Sequence, residues 1–144
     1  MTMDVALLRK SVIQAIEGAK RDGAARRARA DEARKSYDAL LNDRAIPIFR
    51  SMSQVLKSEG LPFDVMTPSG GVRLVPERTR EDGIELTLDA SFDPPRPTLT
   101  TVRSRGSRTV RSERALKDGA PIDTITDDDV AGALLDELMP WFER

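Results

Sequence analysis

The chain has 144 residues, the length of one ordinary domain, with 39% hydrophobic, 33% charged and only 4% aromatic residues. It has no cysteine and no histidine, which excludes disulfides, thiolate nucleophiles, thiolate or imidazole metal sites and histidine general bases. The net charge of −1 hides a segregation: residues 96–117 carry seven Arg or Lys against Glu113, and residues 118–144 carry eight acids against Arg144.

No apolar run approaches the ~20 residues of a membrane span. Val5-Ala6-Leu7-Leu8 runs straight into Arg9 and Lys10, so no signal peptide is expected. A soluble cytoplasmic protein is the expectation.

The first element predicted is a long helix over residues 4–59. Val5, Leu8, Val12, Ile16, Ala19, Ala30, Ala33, Tyr37, Leu41, Ile48, Met52 and Val55 fall on one face at the helical period. Asp4 suits the N-cap, and Gly60 followed by Pro62 marks the stop. Pro47 predicts a kink or a restart at a new first turn. Asp22-Gly23 leaves two conformations open, a continuous helix or a turn between residues 4–20 and 25–45.

A continuous helix of this length spans roughly 80 Å, whereas a compact domain of this size has a radius of gyration of only about 15 Å. Such a rod cannot hide its seam on its own domain, so it pairs with another chain, folds back or overhangs into solvent. Antiparallel pairing with a second copy, apolar ends together and the Gly23–Ala33 waist crossing itself, solves the problem. Val5, Leu8, Val12, Ile16, Tyr37 and Leu41 are the interface candidates.

Beyond Pro62 the period changes to two. Phe63–Thr67 and Val72–Glu77 are strands around the turn-forming Pro68-Ser69-Gly70-Gly71. Ile84–Ala90 alternates cleanly. Ser91–Pro97, with three prolines, reads as a loop. Leu99–Arg105 and Thr109–Ala115 flank Gly106-Ser107. The last helix starts at a Thr126 cap, with Asp129 completing a capping box and Ile125 with Val130 forming a hydrophobic staple. Pro140 should kink or end it.

These elements make an α+β fold: a kinked long N-terminal helix, a four- or five-stranded antiparallel sheet, and a C-terminal helix packed on it. It reads as a single domain, 1–144, in three segments: helical 1–60, meander 61–117 and capped helix 118–144. Leu86, Leu88, Leu134, Leu138 and Trp141 are expected in the core.

Arg96, Arg103, Arg105, Arg108, Arg111 and Arg114 are the anion-binding candidates, since guanidinium groups grip phosphates and carboxylates bidentately. Arg103 and Arg105 share a strand face, and Arg111 lies on the opposite face from Arg108 and Arg114. The plainer expectation is a solvated face, or one neutralised by the acidic segment 118–137. No aromatic residue interleaves the arginines, which argues against a single-strand stacking platform.

The basic waist from Lys20 to Lys35 reads as a solvated helix with local ion pairs. Asp127, Asp128 and Asp129 point about 100° apart on a helix, so capping explains them and metal binding does not. Glu81, Asp82, Asp89 and Asp93 are the carboxylates a metal-assisted hydrolase would need, without a spaced lysine to accompany them. The Ser69-Gly70-Gly71 turn lacks the Lys-Ser/Thr of a phosphate loop.

The expectation is therefore a protein–protein interaction or adaptor protein without catalysis, metal or cofactor, homodimeric through its first helix. Nucleic-acid or polyanion binding is the alternative, and a hydrolase the third.

Overall fold

A computed structural model describes residues 4–143. The architecture is α+β. One helical rod, a five-stranded antiparallel sheet in the order β1-β2-β3-β4-β5 and a C-terminal helix share a core.

The rod is continuous from Val5 to Ser58. It comprises α1 (Val5–Leu40), a π turn (Leu41–Ala45) and α2 (Ile46–Ser58). Asp4 caps it, accepting from Ala6 N at 2.9 Å. Asp22-Gly23 is helical. At the far end Gly60, at φ 82°, takes the left-handed conformation that a side chain resists. Gly60 N donates to Lys57 O and Leu61 N to Leu56 O, closing a Schellman motif.

Pro47 explains the π turn. In a regular helix its ring meets the carbonyl four residues back, and a donor is missing. Here the turn before it is widened, with Ile46 N bonded to Leu41 O, and Pro47 falls in the first turn of α2. The widening adds one residue to the phase. An unbroken period puts Ile48, Met52 and Val55 on the buried face. Phe49, Ser53 and Leu56 are buried instead, each one residue later, while Ile48 and Met52 are half-buried and Val55 is exposed.

The strands are β1 (Phe63–Met66), β2 (Val72–Pro76), β3 (Gly83–Asp89), β4 (Arg96–Arg105) and β5 (Arg108–Ala115). β4 begins three residues earlier than expected and includes Pro97. Pro97 tolerates the position because its carbonyl, and hence its missing donor, faces the side where β5 has already ended; that carbonyl accepts from Leu116 N.

The register sets Leu74, Ile84 and Leu86 side by side with Leu99 on one face, all fully buried. α2 and α3 (Asp127–Phe142) cover that face, and Phe63 meets Trp141 edge-on at 5.7 Å. Leu86, Leu134, Leu138 and Trp141 are buried as expected, whereas Leu88, near the strand end, is only partly covered. Thr126 and Asp129 form the reciprocal capping box, and Ile125 and Val130 are buried beside it. α3 runs two residues past Pro140, which sits in its last turn.

Candidate interaction surfaces

Among the described residues, no other element covers the first part of the rod. From Asp4 to Ala28 every residue is exposed except Gly18 and Gly23. Gly23 is shielded by side chains of its own helix: a Cβ there would meet Arg27 Nη1 at 3.4 Å. This overhang is about 35 Å long. Its seam faces solvent, with Val5 75%, Leu8 42%, Val12 48% and Ile16 50% exposed.

The seam changes role where the rod reaches the body. Ala33, Tyr37 and Leu41 continue it and are buried in the subunit's own core. Tyr37 Oη donates to Gly70 O at 2.8 Å, and burial, followed by the nearby Asp38 and Glu85 charges, pushes its phenol well above the ordinary value. Tyr37 and Leu41, expected at an interface between copies, are therefore occupied. So the apolar ends cannot meet across a crossed waist: setting Gly23 on Gly23 would need Leu41 free to receive Val5.

Arg29 marks the junction. Its Nε and Nη2 bind the two oxygens of Asp93 at 3.0 and 2.9 Å, a bidentate pair between helix and β3–β4 loop. The arginine also holds the Asp93 carboxyl below its ordinary pKa. Beside this clasp Ala33, Phe92, Pro94, Pro97, Pro121 and Ile122 line an open groove of about 640 Å³. Residues 29 and 93 carry no sequence signal of pairing, and only the fold brings them together.

The six strand arginines divide. Arg103, Arg105, Arg108 and Arg114 lie on the helix-covered side of the sheet, with Arg105 directly opposite Arg108 and Arg103 opposite Val110. Arg96 and Arg111 lie on the other side. Arg114 reaches Asp136 of α3 at 3.4 Å, and Arg111 reaches Glu113 at 3.2 Å. Arg96 stacks on Phe92 at 3.6 Å, with its Nε buried and without a hydrogen-bond partner.

Arg103, Arg105 and Arg108 make no ion pair among the described residues. Arg103 and Arg105 border a shallow pocket of about 420 Å³ with Thr79, Asp82, Trp141 and Glu143. Asp82 there is buried and accepts from Ser104 N and Oγ.

The acidic segment neutralises few of these arginines. Asp136 takes Arg114, but Asp129 takes Lys117 at 2.9 Å and Asp127 takes Arg44 at 2.9 Å. The Asp129 carboxyl is held low first by the Thr126 backbone N–H and then by Lys117. Arg144, the one base in that segment, lies outside the described residues.

Among the described residues no group of three acidic side chains converges on a metal-sized site, and no helix is long and apolar enough to cross a membrane. Comparison of the chain with protein-family models, with curated proteins and with solved structures gives no match.

Proposed function

We propose that the protein is a non-catalytic, cytoplasmic interaction protein that acts as a homodimer through its N-terminal helix. One observation carries this reading: the seam of Val5, Leu8, Val12 and Ile16 stands about half exposed on a helix that leaves its own body behind. Apolar side chains in such a row are stabilised by burial, and the described residues of the subunit leave about half of their surface uncovered. The chain also lacks the thiol and imidazole groups that serve as the commonest nucleophiles and bases. Light scattering of the full chain from micromolar to near-millimolar concentration tests the proposal. A concentration-dependent dimer is expected, and a monomer throughout refutes it.

A second reading is binding of a polyanion, such as nucleic acid, by Arg103, Arg105 and Arg108. It is favoured by their shared side of the sheet and by the absence of an ion-pair partner among the described residues. It requires retention on heparin that falls steeply with salt. Elution in the void at low salt removes it.

A further inference from the structure

We infer that two copies pair antiparallel through their overhangs, with the two-fold axis at Val12. The inference rests on the homodimer reading above and adds the orientation and register of the pair.

Orientation follows from where the seam points. Leu41 lies ten helical turns from Val5, so the exposed seam and the core-facing residues share one side of the rod. A second helix seated on the seam in parallel orientation would run onto Ala33, Tyr37 and Leu41, which the subunit's own body already covers. An antiparallel helix leaves in the opposite direction and meets no body.

Register follows from spacing. Val5, Leu8, Val12, Ile16 and Ala19 are placed symmetrically about Val12. A two-fold axis there sets Val12 on Val12, Leu8 on Ile16 and Val5 on Ala19, with large residues facing small ones in the outer layers. Sliding the copies by about one turn either way sets Ile16 opposite Asp4, or Leu8 opposite Lys20 and Val5 opposite Gly23.

The chosen register also fits the available length. The partner's Asp4 comes level with Lys20, about 13 Å short of Arg29, where the body begins. The basic stretch from Arg21 to Arg27 remains solvated on both sides. The paired segments, about 25 Å long on helices about 10 Å across, bury on the order of 500 Å² in total. That lies below the roughly 1,200 Å² of a stable interface, so the pair is reversible and concentration-dependent.

The absence of cysteine makes the test clean. Full-length V12C, L8C and I16C variants each carry one thiol, at a position exposed in the subunit. A disulfide needs Cβ atoms about 3.5–4.5 Å apart. Under mild oxidation V12C is expected to cross-link at least about tenfold faster than L8C or I16C alone, because only its thiols face each other across the axis. A mixture of L8C and I16C is expected to give the mixed disulfide in preference to either homodimer. Equal homotypic cross-linking at all three positions, or slow V12C cross-linking while light scattering of the natural chain shows a dimer, overturns the register and leaves the homodimer standing. A natural chain that stays monomeric with no cross-link at any position overturns both.

Discussion

Placing a carboxylate on the proposed axis, with Val12→Asp, separates association from folding. Val12 is 48% exposed in the subunit. Burying the remainder is worth about half of the ~1.5–3 kcal/mol of a full apolar side chain, or about 1 kcal/mol per copy. The substitution loses that twice. It also sets two like charges across the axis, which at about 5 Å and an effective dielectric of about 20 costs about 3 kcal/mol.

The total, about 5 kcal/mol, weakens the dimer between about a thousandfold and ten-thousandfold at ~1.4 kcal/mol per decade. Within an isolated subunit the same change sits on an exposed helix face and moves stability by about 0.5 kcal/mol or less. Light scattering from micromolar to near-millimolar concentration reads the first effect, and chemical denaturation at high dilution reads the second. Dimerisation of V12D equal to that of the natural chain refutes the reasoning. A large loss of stability at dilution also refutes it, because Val12 would then be packed within its own subunit.

Two further predictions concern the body. Tyr37→Phe keeps the ring but leaves Gly70 O without its 2.8 Å donor, and denaturation should show a loss of about 1–2 kcal/mol. The Tyr37 phenol is raised in the folded state, so its contribution is fully present below the unfolded value near 10 and is lost as pH rises above it. The natural chain should therefore weaken above that pH more steeply than Y37F, and identical alkaline profiles contradict the assignment. The Asp129 carboxyl is shifted the other way, so its contribution is present above the ordinary carboxylate value and lost as pH falls through the lowered one. Asp129→Asn should flatten the acid limb of the stability profile, as read by denaturant midpoints on both sides of that range.

Much of the fold is written in signals a few residues long. Asp4 and Thr126 with Asp129 declare helix starts, because an orphan N–H needs an acceptor within the first turn. Gly60 declares a helix end, and the alternation from Ile84 to Leu88 declares a half-buried strand. The seam of the overhang is legible for the same reason, being a period within one helix. The phase beyond Leu41 is not, because a single added residue in the π turn exchanges Ile48, Met52 and Val55 for Phe49, Ser53 and Leu56.

Residue order alone is enough for a helix too long for its domain and for a sheet of short alternating strands, since both depend on local spacing and on groups that must be satisfied locally. Packing selects which half of the seam is occupied: Tyr37 and Leu41 are buried in the subunit's core, while Val5, Leu8, Val12 and Ile16 stay about half exposed. It also decides that Arg29 holds Asp93, and that Arg114 is matched by Asp136 while Arg103, Arg105 and Arg108 have no such match among the described residues. Those outcomes depend on the distances between residues far apart in the chain, which hydrophobic period and charge count do not encode.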